Sequence, residues 1–474
     1  MLTTMPYSSR SPRGTVRFEM ASRLGHLPTS NNPLIQERLA RYHKPENAFD
    51  ASMIEERVSS ADDLPQTGAP AIRYVVCVDG SGHEDQEAFE RYPSTRVLYL
   101  QIAGVFIDLQ HMQNQPGHFV DPARIADAIE ASVVSGFLPG SYLEHEIYKD
   151  PVQAFRAETF DLFASTQIQR RSLLDLLCET QKYGEAADAA AAEAGELLLS
   201  KCPNEKCTLH KPGRDFAGIS VSVKAETACP ACGTALWPTD ALRIWEAFQP
   251  DASNGECLGR TRDMIEHLVL LGVAMSFEEL SPKLLQQTAF ICDGDLALFG
   301  QPAPFHKGIL GAWQALWARC QQNGLEPPLV FGIAKSGYPV EHLHGIQRFV
   351  PRRHLMRLDD KYMAERLRVK SLTETYFGRK LFYHASDGQL LVITVPPASG
   401  TAYGRSRTED PSGLDRFPTL GRTFDLLDNV GTRLYDDAVI PVSLAHHWAA
   451  YPLANAERVL RILTERAIGK PIGN

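Results

Sequence analysis

Apolar residues recur in two rhythms along the chain. Short runs of five to eight (AIRYVVCVDG at 71–80, QQTAFICDGDLALFG at 286–300, PLVFGIAKSG at 328–337) predict buried strands, two of them ending in Asp-Gly. KLFYHASDGQLLVITVPP (380–397) predicts a hairpin, and TRVLYLQIAGVFIDLQ (95–110) a strand pair folding back through Gly104. Helical spacing marks 121–136, 150–181, 241–248, 259–273, 306–324 and the segment from 438 to 469. Residues 32–65 predict one or two short polar-rich helices. Strands alternating with helices predict an α/β fold with a mixed sheet.

Composition narrows this picture. With 474 residues, 44% hydrophobic and 22% charged, the chain has the make-up of a soluble globular protein. No apolar run is long enough for a bilayer, and the first twenty residues lack the apolar core of a secretory signal. They read as a mobile polar tail on a cytoplasmic protein. Net charge is −9, so binding a polyanion would require locally concentrated basic residues. The segment 348–370, with eight Lys/Arg against three Asp/Glu, is either such a patch or a solvated helix face.

Four of the nine cysteines form close pairs: Cys202 and Cys207, then Cys229 and Cys232 after 21 intervening residues. Two thiolate pairs at this spacing can converge on one tetrahedral Zn²⁺, predicting a structural zinc ribbon. Four sulfur ligands leave no open position for activating water. The ribbon and a preceding alanine-rich connector helix (183–201) read as an insertion at 183–240. That leaves a helical N-terminal segment at 1–66 and a larger domain in two parts, 67–182 and 241–474.

Asp79 and Asp293 close two strands about two hundred residues apart, where ligand sites on open α/β sheets lie. Paired carboxylates on adjacent strands suit hard divalent ions such as Mg²⁺ or Mn²⁺. Two such ions about 3.5–4 Å apart can drive phosphodiester hydrolysis. An Asp-Gly turn is the plainer reading of each site. A phosphate loop, an H-E-x-x-H helix and a G-x-S-x-G elbow are all absent, which argues against an ATPase, a zinc protease and an α/β-hydrolase. His342 and His344 read as a surface turn.

In order, VCVDGS (76–81), RDMIEHL (262–268), ICDGDLAL (291–298), VFGIAKSG (330–337) and PVSLAHH (441–447) resemble the motifs of the NurA nuclease family, partners of HerA-type hexameric DNA translocases. The resemblance implies an RNase H-like fold and a Mn²⁺- or Mg²⁺-dependent DNA nuclease. Asp79, Asp293 and Glu266 would hold the metals, His446 would act at the scissile phosphate, and Lys335 would neutralise phosphate charge. Glu278 or Glu279 could replace Glu266, Asp295 could add a ligand, and His447 competes with His446. The family also implies a homodimer docked on a HerA-like ATPase, in DNA end processing or anti-phage defence. Here the chain departs from the family in its length and in its zinc ribbon, which could grip DNA or a protein. A non-catalytic nucleic-acid-binding adaptor on a degenerate scaffold is the alternative.

Overall fold

The computed structural model describes residues 4–10, 16–22, 32–42, 51–65, 68–86, 95–113, 129–214, 216–369, 372–404, 411–431 and 439–450. Contact density divides the chain into two units, 1–53 and 54–474. In the first, Thr4–Arg10 pairs antiparallel with Val16–Ser22, so part of the expected polar tail is a hairpin. VRFEMAS alternates apolar and polar residues, the period of a strand. Helix Pro33–Leu39 follows, started by Pro33 and capped by the Asn32 side chain on the Leu34 amide.

The second unit is built on a nine-stranded mixed sheet flanked by helices. In chain order its strands are β1 (Val58–Ser60), β2 (Tyr74–Gln86), β3 (Arg96–Asp108), β4 (Ile129–Pro139), β5 (Thr288–Asp293), β6 (Leu329–Ala334), β7 (His354–Arg357), β8 (Arg379–His384) and β9 (Leu390–Val395). In space the order is β1-β7-β8-β9-β6-β5-β2-β3-β4. The central strands β2, β5 and β6 are parallel, and every other pairing is antiparallel. Parallel strands are covered on both faces, which explains why β5 and β6 are buried along nearly their whole length.

Successive side chains of these strands enter two cores. Val76, Val78, Phe290 and Cys292 pack with Met264, Ile265 and Leu268 of the long helix α2 (Gly255–Leu280), which follows α1 (Pro151–Ser165). Val75, Cys77, Ala289, Ile291 and Ile333 face the other way. They pack with Phe424 and Leu427 of α4 (Leu420–Asn429) and Val442 and Ala445 of α5 (Ile440–Ala449). Helix α3 (His306–Gln322) joins β5 to β6. No helix among the described residues is long and apolar enough to cross a membrane.

Several elements differ from the sequence expectation, among them 150–181, which is two helices separated by the short pairing of Gln167–Ile168 with Arg171–Ser172. Residues 96–108 form one strand with no fold-back at Gly104, because β3 pairs along its whole length with β2. Within 121–136, residues 129–136 are strand rather than helix, paired to β3, and 121–128 lie outside the described residues. Segment 241–248 is two short 3₁₀ turns about Arg243, which has φ of 57°. The connector is helical only over Ala186–Glu193; Glu196–Leu199 then pairs with Ile219–Ser222. The expected closing helix is helical at Ile440–Ala449, and 451–469 lie outside the described residues.

The basic segment is not one solvated helix face: it divides into β7 and the short helix Asp360–Glu365. Arg353 is bound by Asp62 and Asp428. His342 lies inside helix Tyr338–Ile346 rather than in a surface turn. It is buried 2.8 Å from the Tyr362 hydroxyl, and burial lowers its pKa to about 4.

Candidate metal centre

The strand registers place two carboxylates side by side. Cys292 pairs with Val78 and Asp293 with Ile333, so Asp79 and Asp293 stand where the parallel β2–β5 pairing ends. Both follow the odd-numbered side chains into the face covered by α5. There His446 Nδ1 lies 2.8 Å from Asp79 Oδ2 and 3.9 Å from Asp293 Oδ2. One ligand atom from each of the three falls within 4.8 Å of the other two. Just past β6, Lys335 donates to Asp293 Oδ2 at 2.5 Å.

Glu266 arrives from the opposite face, on α2. The Asp79-Gly80 step is not a turn: β2 runs on for six residues beyond Gly80, which pairs with Ile102. Gly80 is required for space. A Cβ there would overlap Glu266 Oε1 and stand 2.6 Å from Arg262 Cγ and 2.7 Å from Ile102 Cδ1. The Asp293-Gly294 step is a turn, with Gly294 at φ of 126°.

Glu266 is buried, and burial raises its carboxyl pKa well above the usual carboxylate range; Asp263, Asp79 and Asp293 push the same way and Arg262 opposes them. Arg262 Nε approaches Glu266 Oε1 at 3.4 Å and Nη2 binds Asp263 at 2.7 Å. Burial, then the charge of Asp79, raises Asp293 to about 6 against the pull of Lys335. Burial and mutual repulsion thus hold Glu266 and Asp293 toward their neutral forms, and a bound cation would favour the ionised ones.

The carboxylates open into a cavity of about 740 Å³, also lined by Arg262, Phe299, Ser443, His446 and His447. Ser443 Oγ is buried on this wall without a hydrogen-bond partner among the described residues. Oxygen donors, one imidazole and an orphan hydroxyl around a polar cavity fit a hard divalent ion with bound water.

The other candidates lie elsewhere. Glu278 is held by Arg319 and Glu279 by Arg171, twelve and thirteen residues along α2 from Glu266, roughly 18–20 Å by helical rise. Asp295 lines the cavity, but Lys380 holds it with both carboxylate oxygens at 2.6 and 2.7 Å. Arg262, Ser443 and Phe299 escaped the sequence reading. Only Arg262 left a trace, four residues before Glu266 on the same helix face.

The second cluster is the four cysteines, all Sγ atoms lying within 4.8 Å of one another. Cys202 and Cys232 sulfurs are 3.7 Å apart, Cys207 and Cys229 sulfurs 3.8 Å. A tetrahedron with Zn–S of about 2.3 Å has S···S edges of about 3.8 Å, so the set fits zinc. Gly233 at φ of 73° and the Cys229–Gly233 backbone bond shape the second knuckle. Thr234 beside Cys232 lowers that thiol's pKa to about 6, whereas burial pushes the Cys202 and Cys207 thiols up. Arg156 of α1 anchors the module, binding Asp240 through Nε at 2.7 Å and the Ala235 carbonyl at 2.7 Å, with its guanidinium 4.8 Å from the Trp237 ring.

No protein-family model matches the chain, and no curated protein matches it. Among solved structures, the NurA nuclease from Sulfolobus solfataricus is similar at 9% identity and a TM-score of 0.31, over 94% of this chain and 95% of its own. Another NurA structure aligns at 10% identity and TM-score 0.31, over 94% of this chain and 98% of its own. NurA bound to dAMP and manganese aligns at 10% and 0.27, over 95% and 96%. The chain is thus similar, at low identity and low structural overlap, to NurA nuclease structures along nearly its full length.

Proposed function

We propose that this protein is a divalent-metal-dependent deoxyribonuclease with an RNase H-like core. The observation that carries the reading is the convergence within 4.8 Å of Asp79 and Asp293, where the parallel β2–β5 pairing ends, with His446 of α5, Glu266 lying in the space left by Gly80. Asp79, Asp293 and Glu266 would hold Mn²⁺ or Mg²⁺, as two ions sharing the carboxylates. The metal would supply an activated water and neutralise charge on the leaving oxygen.

The chain's own groups would do the rest. Lys335, paired to Asp293 without metal, would turn to a phosphate oxygen once the carboxylates are neutralised. His446, its side chain 64% exposed beside Asp79, would carry a proton to or from an oxygen of the scissile phosphate, or serve as a further ligand. The four-cysteine module would hold one structural Zn²⁺. By the sequence resemblance, and because no phosphate loop is present, a HerA-like ATPase would supply translocation to a homodimer of this chain, in DNA end processing or defence.

Incubation with linear duplex and single-stranded DNA in Mn²⁺, Mg²⁺ or EDTA tests the reading. Metal-dependent cleavage by wild type, lost in Asp79→Ala, is expected. Intact DNA under every condition, with the ATPase added, would leave the non-catalytic adaptor in its place.

A further inference from the structure

The strap after Asp293 is pinned on both sides. Gly294 donates to the Ile333 carbonyl at 2.8 Å, the Leu296 amide to Thr394 Oγ1 at 2.8 Å, and the Leu298 amide to the Thr375 carbonyl at 2.9 Å. Leu296, Ala297 and Leu298 are buried. The next residue, Phe299, is 47% exposed and forms part of the cavity wall that also carries Asp79, Asp293 and Lys335. Its ring meets Tyr376 edge-on, centroids 5.6 Å apart at 88°. Tyr376 is itself backed by the Tyr403 ring at 5.8 Å. A rigid mount therefore presents a large apolar ring to solvent beside a polar, charged cavity, where burial would otherwise be favoured.

We propose that Phe299 is a stacking platform for one unpaired nucleobase next to the phosphate held at the carboxylate cluster. The inference rests on the nuclease reading and adds which form of substrate the site takes. A polyanion suits the cavity once metal is bound, with Lys335 and Arg262 as cations on its walls. A flat apolar ring beside a phosphate site suits the face of a base. A base inside a duplex has both faces covered, so the platform selects a single strand or a frayed end.

The test is a two-by-two binding comparison on the full chain in Ca²⁺, read by fluorescence anisotropy. Wild type and Phe299→Ala are each titrated with a single-stranded oligodeoxynucleotide and with the same backbone lacking bases. One stacked base corresponds to roughly a 5- to 150-fold change in affinity. Phe299→Ala is expected to lose that factor on the base-bearing strand and nothing on the abasic one, and Phe299→Trp to restore it. Equal loss on both strands, or no loss on either, overturns the proposal. Because binding is read without cleavage, a chain that binds this way yet never cuts DNA sinks the nuclease reading alone. A chain that cuts DNA with the Phe299→Ala effect independent of bases sinks this proposal alone.

Discussion

Gly80 and Glu266 compete for one space on the α2 face of the sheet: the glutamate carboxylate lies where a side chain on Gly80 would be. A glycine that the sequence presents as a turn residue is the opening through which a helix on one face contributes to a site on the other.

Gly80→Ala is therefore expected to destabilise the protein by about 1–3 kcal/mol, the usual cost of overpacking, and to lower metal-dependent cleavage with it. Chemical denaturation measures the first effect. In Gly80→Ala/Glu266→Ala much of the lost stability should return while activity does not. A double variant no more stable than Gly80→Ala alone would show that Arg262 and Ile102 set the clash.

Asp79→Asn should abolish cleavage yet leave the metal-free protein as stable as wild type or more so, since Asp79 is one of the charges that raise Asp293. Thermal melts with EDTA and with Mn²⁺ separate the effects. The Mn²⁺-induced rise in Tm seen in wild type should shrink or vanish in the variant.

The raised Asp293 carboxyl gives stability a pH dependence. Its pKa moves from 3.8 to about 6, so the folded state favours the protonated form. That contribution is fully present below about pH 4 and is lost as pH rises through 6. At 1.36 kcal/mol per unit it is on the order of 3 kcal/mol. Metal-free protein should lose that increment between pH 4 and 7, and Mn²⁺ should raise Tm more at pH 7.5 than at pH 5. An equal metal effect at both values would place the ion elsewhere.

Cys229→Ser should reduce bound zinc from one per chain to near none by elemental analysis and expose 196–236 to protease. Mn²⁺-dependent cleavage should persist, because the thiolate and carboxylate clusters share no residue.

Lys335→Met is expected to lower the rate about 10²-fold, as for removal of one preorganised charge-stabilising donor, while leaving the Mn²⁺ shift in Tm in place. Loss of both would make the lysine a support for Asp293 rather than a partner for phosphate.

Much of the central sheet was legible, because β5, β6 and the β8–β9 hairpin are apolar runs that few other elements accommodate. β4 was not: IEASVVSG satisfies helical and strand periods alike, and pairing with β3 decides between them. The order of Asp79, Glu266, Asp293, Lys335 and His446 could be read from motifs, and the structure brings these five to one cavity. The space at Gly80, the Arg262 contact and the exposed ring of Phe299 could not. Each depends on which helix or strap crosses the strand ends, a tertiary fact with no local signature.

The contact between Asp79 and His446 spans 367 positions of sequence. A ribosome must add 367 residues after Asp79 before both halves of that contact exist. Until then the nascent polypeptide, like any fragment lacking Ile440–Ala449, has no imidazole beside Asp79. On the proposed reading, assembly of the centre would wait on that distant helix.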